Sequence, residues 1–132
     1  MASVLTDFPW PHSGNIELFD YYASKTIANG VTDFVFDIPI DRIFVQGYAT
    51  MFGHGIDDPT AFAGSTWQVC VNDIAMPYYD AIKDELGQFK QPEAISPIIV
   101  RRGEKLGVRV INASGASHLY AARLRGFLDY GG

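Results

Sequence analysis

The sequence contains a single cysteine, Cys70, so the chain can form neither an intramolecular disulfide bond nor a multi-cysteine zinc site. Its three histidines, His12, His54 and His118, are far apart and match no metal-ligand spacing. No apolar run approaches the roughly 18 residues that a membrane-spanning helix needs. Residues 1–7 lack the basic and apolar regions of a secretory signal. We therefore expect no cofactor, no membrane partner and no secretory signal.

Leucine is also scarce, and its scarcity favours strands over helices. The chain has 7 leucines against 21 isoleucines and valines, and aromatic residues make up 14%. Side chains branched at Cβ crowd a helix but pack well on a pleated sheet. With 132 residues, of which 48% are hydrophobic and 19% charged, the chain has the size and composition of one folded domain. The composition therefore predicts a single all-β domain.

Apolar segments separated by glycine and proline predict an antiparallel β-sandwich. Residues 1–15, which include Phe8-Pro9-Trp10-Pro11, predict an extended arm, because proline removes backbone donors that a central strand needs. Residues 16–132 are predicted to form one sandwich domain. Two architectures fit seven or eight strands, and the lack of a cysteine pair around a tryptophan favours a jelly roll over an immunoglobulin-like sandwich. Strands are predicted at residues 16–22, 32–38, 41–52, 66–74, 97–102, 106–111 and 120–128, and a short helix at residues 77–86.

The last third of the chain predicts three consecutive antiparallel strands. Residues 106–111 alternate between apolar and other residues, Asn112-Ala113-Ser114-Gly115 provides a turn, and residues 120–128 alternate on the return. The alternation predicts a buried side for this hairpin, formed by Val108, Val110, Tyr120, Ala122 and Leu124. On that hairpin the opposite, outer face carries three arginines, namely Arg109, Arg123 and Arg125.

Charge is unevenly distributed along the chain. Residues 1–100 contain four basic and thirteen acidic residues, a net charge of −9, whereas residues 101–132 contain six basic and two acidic residues, a net of +4; together they give −5. The net acidity argues against nucleic-acid binding. We expect an electrically two-sided molecule. The outer arginines have three possible partners: acids of the same chain, an acidic neighbouring protein, or a phosphate backbone. The favoured interpretation is a solvated face with local pairing to Glu104 and Asp129.

Other candidate sites are weaker. The segment with His54, Asp57 and Asp58 is the best candidate for a metal or ligand, but it lacks calcium-loop spacing, and a solvated turn capped by Asp58 is favoured. Asn112-Ala113-Ser114 matches a glycosylation sequon but is favoured as a turn. Neither a Ser/His/Asp arrangement nor a nucleophile elbow is present, so no enzymatic activity is expected.

The predicted arm carries two large apolar side chains, Phe8 and Trp10. Proline stiffens this segment and lowers the entropy lost when it docks. Such an arm suits the binding of apolar anchors to another protein. Alternatively, both rings fold back over the open end of their own sandwich.

The closing segments follow in a characteristic order: Pro97-Ile98-Ile99-Val100, Arg102-Gly103-Glu104-Lys105-Leu106-Gly107-Val108-Arg109-Val110, Asn112-Ala113-Ser114-Gly115 and Ala122-Arg123-Leu124-Arg125-Gly126-Phe127-Leu128. This order resembles the closing strands of jelly-roll decoration or cement proteins of tailed-phage heads. The resemblance implies a non-enzymatic virion protein, made in the host cytoplasm, that binds the major capsid protein on the capsid surface. It also implies a homo-oligomer, typically a trimer at local threefold positions.

The sequence therefore predicts a structural virion protein. Its capsid or subunit interface would involve Phe8, Trp10 and the three arginines. The alternative is a carbohydrate- or receptor-binding jelly roll of a phage tail or fibre, with an aromatic platform at Trp67, Tyr78 and Tyr79. Exposure of these three rings would favour that alternative, and their burial would exclude it.

Overall fold

The computed structural model describes residues 16–40, 46–77, 79, 82 and 91–130, which form two β-sheets packed face to face. The predicted arm, with Phe8 and Trp10, lies outside the described residues. No helix within the described ranges is long and apolar enough to cross a membrane. A 3-10 helix at Pro59–Gly64 connects the third strand to the fourth. The strands are β1 (Ile16–Ile27), β2 (Thr32–Pro39), β3 (Gln46–Ile56), β4 (Ser65–Val71), β5 (Ile74–Ala75), β6 (Glu93–Val100), β7 (Lys105–Asn112) and β8 (His118–Asp129).

The strand order is that of a jelly roll. The first sheet has the order β1-β8-β3-β6, and the second sheet has the order β2-β7-β4-β5. All pairings are antiparallel, and they are nested: β1 pairs with β8, β2 with β7, β3 with β6, and β4 with β5. This is one long hairpin folded over into two four-stranded sheets, which confirms the predicted all-β sandwich of jelly-roll type.

The core lies between the sheets and contains the predicted inward residues. The five side chains assigned to the buried side of β7 and β8 are all fully buried, as are Phe52 and Trp67. Burial of these apolar surfaces is the main favourable term for folding, at about 25 cal/mol per Å². On β7 and β8, the two-residue alternation therefore predicts correctly which side of the strand faces the core.

The predicted carboxy-terminal hairpin is wrong. β7 lies between β2 and β4 in the second sheet, whereas β8 lies between β1 and β3 in the first sheet. β6 pairs with β3 rather than with β7. Residues 113–117 therefore connect the two sheets across the end of the sandwich. Alternation reports which side of a strand is buried. The alternation is the same whether the next strand in the chain pairs with this strand in one sheet or belongs to the facing sheet.

Several strand boundaries also differ from the predictions. β1 extends five residues beyond the predicted end, to Ile27. The predicted strand at residues 66–74 is interrupted at Asn72 and Asp73, whose φ angles of 53° and 65° place them in a two-residue turn between β4 and β5. A type I′ hairpin turn requires positive φ at both central positions, which asparagine and aspartate tolerate better than most residues.

The predicted helix at residues 77–86 lies mostly outside the described residues. Ile82 is described, and its backbone exchanges hydrogen bonds with the backbone of Trp67, at 2.9 Å and 3.0 Å. Tyr79 is also hydrogen-bonded to β4, because its carbonyl accepts from the amide of Val69 at 2.9 Å. These hydrogen bonds place both residues on the side of β4 that pairs with β5, opposite the side that pairs with β7.

Candidate functional site

The three predicted interface arginines lie on two opposite faces of the molecule. Arg123 and Arg125 are on β8 and face outward from the first sheet, whereas Arg109 is on β7 and faces outward from the second sheet. The prediction that all three share one face is therefore wrong, because it depended on the predicted hairpin. The sandwich has two outer faces, and each contains at least one arginine.

On the first sheet, Asp20 is the partner of both arginines. The Nε and Nη2 atoms of Arg123 donate to its carboxylate at 2.8 Å and 2.6 Å, and Nε of Arg125 lies 3.8 Å away. We call these three residues the Asp20 cluster. The hydrogen bond from Arg123 is the main reason that the pKa of Asp20 lies below its ordinary value. Of the three possible partners, an acid of the same chain is the one found for these two arginines.

The predicted electrical two-sidedness is wrong for the same reason. The nested pairing places the basic strand β8 beside the acidic strand β1, and β7 beside β2. Nζ of Lys105 on β7 lies 3.3 Å from a carboxylate oxygen of Asp37 on β2 and 3.2 Å from one of Asp73. Each sheet thus has both signs of charge on its outer face, although the two signs are separated along the sequence.

On the second sheet, Arg109 is the middle residue in a row of three cross-strand neighbours. Phe34 and Gln68 are its register partners on β2 and β4. The guanidinium carbon lies 5.5 Å from the centre of the Phe34 ring, Nε donates to the amide oxygen of Gln68 at 2.8 Å, and Nη1 donates to the carbonyl of Asp73 at 3.3 Å. We call Phe34, Arg109 and Gln68 the Arg109 row. These contacts hold the guanidinium plane against the sheet.

The outer face of the first sheet has an apolar row that the sequence analysis missed. Leu18, Phe127, Tyr48 and Ile99 are cross-strand neighbours that span all four strands. Leu18 is 71% exposed and Ile99 is 39% exposed, Phe127 is half-buried, and Tyr48 is 7% exposed. We call these four residues the apolar row. Next to the row is a shallow hollow of about 110 Å³, lined in part by Met51.

Tyr48 holds its place in the row through polar contacts. Its hydroxyl donates to the side-chain oxygen of Gln46 at 2.8 Å, and its ring lies 6.3 Å from that of Phe127. Burial, and to a smaller extent the nearby Asp129 carboxylate, raise the pKa of Tyr48. The phenol therefore stays neutral at physiological pH, so the middle of the row remains uncharged.

The segment at residues 53–59 does not bring its three candidate residues together, because His54 is buried whereas Asp57 and Asp58 are exposed. His54 belongs to β3 and is buried among rings, with Trp67 at 4.5 Å and Phe62 at 5.6 Å between centroids. Asp57 instead contacts Nδ1 of His118 at 2.9 Å. Asp58 accepts from the amide and hydroxyl of Thr60 and caps the 3-10 helix, as the favoured interpretation predicts. The described residues contain no group of three or more side chains able to hold a metal ion.

The predicted carbohydrate platform does not form as a unit. Trp67 is fully buried in the core, so its ring is not available to the platform that the carbohydrate-binding alternative requires. Tyr78 lies outside the described residues. Tyr79 is half-buried, and its hydroxyl accepts from the amide of Ser96 at 2.9 Å. Cys70 is also buried, and burial raises the pKa of its thiol.

Comparison with known proteins gives no relatives: no protein-family model matches the chain, and no curated protein is significantly similar to it in sequence.

Proposed function

We propose that this chain is a structural virion protein, a decoration or cement protein that binds the major capsid protein on the outer surface of a tailed-phage head. The resemblance of its closing strands to such proteins supports the proposal. The strand order supports it further, since eight-stranded jelly rolls recur in viral capsid proteins. They also recur in lectins and cupins, so the surfaces of the molecule indicate its role better than the fold does.

The observation that carries the proposal is the presence of two chemically different outer faces on opposite sides of one sandwich. One face has the apolar row and the Asp20 cluster, and the other has the Arg109 row. A protein that stabilises contacts between capsid subunits has to contact at least two neighbours at once. Two opposed faces allow one contact with a capsid subunit and another with a second neighbour on the shell, and many copies on one shell then act by avidity.

The Arg109 row is the better candidate for the capsid contact. Arginine and aromatic residues are enriched at the centres of protein interfaces. A guanidinium has five N–H donors, and the contacts with Gln68 and Asp73 account for two of them. The other N–H groups of the guanidinium can donate to a carboxylate or carbonyl of an acidic capsid surface. Phe8 and Trp10 of the arm are proposed as additional apolar anchors.

The proposal is tested by co-sedimentation of the full-length protein with heads of the encoding phage that lack it. We expect saturable binding at a fixed copy number. Arg109→Ser should weaken binding about tenfold, equivalent to about 1.4 kcal/mol, and should reduce its salt dependence. Arg102→Ser is the matched control, because Arg102 is exposed in a turn away from both faces.

Two results would contradict the proposal. If the wild-type protein fails to bind heads at any salt concentration, the proposed function is wrong. If it binds host surface polysaccharide instead of heads, the alternative of a carbohydrate-binding tail or fibre module is supported. Equal binding by Arg109→Ser and wild type would overturn the assignment of the capsid contact to the Arg109 row.

A further inference from the structure

The apolar row is an unusual feature on the outside of a single sandwich. It crosses the full width of the first sheet, with the well-exposed Leu18 at one end and Ile99 at the other. Two further exposed apolar side chains lie on the same face of β1: Ile16 is next to Leu18, and Tyr22 lies beyond Asp20. Contiguous apolar patches on soluble proteins commonly mark interaction sites.

The size of the face matches that of a protein interface. Four strands about 4.8 Å apart, with 8 to 12 residues each at about 3.3 Å, give an outline about 19 Å wide and 26 to 40 Å long. That is about 500 to 750 Å² per molecule, compared with about 800 Å² per partner in a standard interface. A second sheet packed on this face would therefore bury enough area for a stable complex.

The charges on β8 are arranged symmetrically about the row. Phe127 lies in the row, Arg125 lies two residues before it and Asp129 two residues after it. Residues two apart on a strand face the same side, so all three side chains point outward. The side chain of Arg125 is 45% exposed, and its nearest acid, Asp20, is 3.8 Å away. A positive and a negative group thus flank an apolar centre at equal spacing along one strand.

This arrangement is complementary to itself under one particular rotation. A two-fold axis in the plane of the interface along the apolar row would place Phe127 against its own copy. It would also place Arg125 of each molecule opposite Asp129 of the other, so the charge pair would occur twice. An axis along the strands would instead place Arg125 opposite Met51, with no charge complement. Charge complementarity therefore selects the axis along the row.

We propose that the outer face of the first sheet binds a second copy of this chain, forming a face-to-face dimer with its two-fold axis along the apolar row. Sheets that pack face to face are about 10 Å apart and are aligned within about 30°. An arginine and an aspartate together span that distance. The proposed dimer differs from the trimer that the phage resemblance implies. It goes beyond the proposed function and does not depend on it, because association is measured without heads.

Charge reversal provides the direct test. In sedimentation equilibrium of the full-length protein, we expect dimerisation with a Kd below about 100 μM, because complementary interfaces near the standard size bind with micromolar or tighter affinity. Arg125→Asp alone and Asp129→Arg alone should each be monomeric, because each opposes like charges across the axis. An equimolar mixture of the two variants should recover the dimer mass, because every pair in the heterodimer is again of opposite sign.

Arg109→Asp is the control, since it makes the same charge change on the opposite sheet and should leave the dimer intact. A monomeric wild-type protein, a trimer, or a mixture that stays monomeric would each overturn the proposal. Circular dichroism checks that the variants are folded.

A second pair of variants keeps the test decisive if a charge reversal prevents folding. Leu18→Asp changes a side chain that is 71% exposed at the end of the apolar row, and Ile74→Asp changes one that is 66% exposed on the second sheet. Both positions are exposed enough to accept a charge in the monomer. We expect Leu18→Asp to abolish the dimer and Ile74→Asp to leave it unchanged. Dimerisation of both variants alike would overturn the proposed interface.

Discussion

Asn112 is a residue whose side chain holds two parts of the fold together. Its Nδ2 atom donates to the carbonyls of Ile27 and Ala116 at 2.8 Å and 2.9 Å, and its Oδ1 atom accepts from the amide and hydroxyl of Ser114 at 3.0 Å and 2.6 Å. The amide is fully buried. It thereby ties the end of β1 to the connection between β7 and β8. This confirms the interpretation of Asn112-Ala113-Ser114 as a turn rather than an accessible sequon.

Asn112→Asp should destabilise the protein by about 2 to 4 kcal/mol, because two donors become acceptors that face carbonyl oxygens in a buried site. Urea unfolding at neutral pH measures the change. Asn29→Asp is the matched control: Asn29 is exposed and its Oδ1 accepts from the amide of Gly115, a role that aspartate keeps. We expect a change within about 0.5 kcal/mol for the control. Equal losses in both variants would contradict the assigned role of Asn112.

Asp20 gives the fold a dependence on acid pH. Its pKa is lower in the folded protein, mainly through the hydrogen bond from Arg123, so its contribution to stability is present above its unfolded pKa of about 4. That contribution decreases as the pH falls through the lower, folded-state pKa. The stabilising effect of Asp20 is therefore greatest near neutral pH and smallest in strong acid.

Asp20→Asn should consequently lower the urea midpoint at pH 7 more than at pH 2.5, so the wild-type and variant stability curves should converge in acid. Unfolding midpoints measured at both pH values check this. The control is Asp73→Asn, since Asp73 is exposed and pairs with Lys105 on the other sheet. Parallel curves for wild type and Asp20→Asn across this range would show that the ion pair does not contribute.

Among the elements, β3 and β8 approach each other closely at one point, and this approach requires a glycine. The register of β3 shifts between Ala49 and Met51, opposite Gly126 on β8. A Cβ atom at Gly126 would lie 1.7 Å from the carbonyl oxygen of Tyr48 and 2.9 Å from the Phe19 ring. The bulge and the glycine thus belong together, because the extra residue moves the backbone of β3 onto β8.

Gly126→Ala should destabilise the protein by about 3 kcal/mol or more, since backbone rather than a flexible side chain would have to move. Thermal or urea unfolding measures the loss. Ala121→Ser, on the outward side of the same strand, should change stability by less than about 1 kcal/mol. A Gly126→Ala variant as stable as the wild type would contradict the close approach of the two strands.

The elements also mark the limit of what the sequence predicts. The buried side of β7 and β8 follows from local alternation, and the positions of Val108 and Tyr120 are predicted correctly. Strand pairing depends on contacts between residues that are far apart in the sequence, and local alternation does not report these contacts. The sequence therefore predicts that the three arginines share one face, whereas they lie on two. The apolar row was missed for the same reason, because Leu18 and Phe127 become neighbours only when the first and last strands pair.

At the scale of the whole molecule, the nested pairing explains why the uneven charge of the sequence does not produce two oppositely charged sides. The last two strands contain the excess of positive charge. Each of them is an inner strand of its sheet, β8 in the first sheet and β7 in the second. Each is flanked by a strand from the acidic part of the chain, as in the contact of Arg123 with Asp20 and that of Lys105 with Asp37. What remains outside is one face with an apolar row and one with an arginine held over a ring.

The proposed cement function requires more than one contact between each molecule and the capsid. Variants of the arm test whether the arm and the Arg109 row are two such contacts. Phe8→Ser with Trp10→Ser should weaken head binding without changing the far-ultraviolet circular dichroism. If the arm and the Arg109 row bind independent parts of the capsid, their free-energy losses should add within about 0.5 kcal/mol when all three substitutions are combined. Co-sedimentation isotherms of the single, double and triple variants measure these losses. Head binding by Phe8→Ser with Trp10→Ser at wild-type affinity would contradict the proposed capsid contact of the arm.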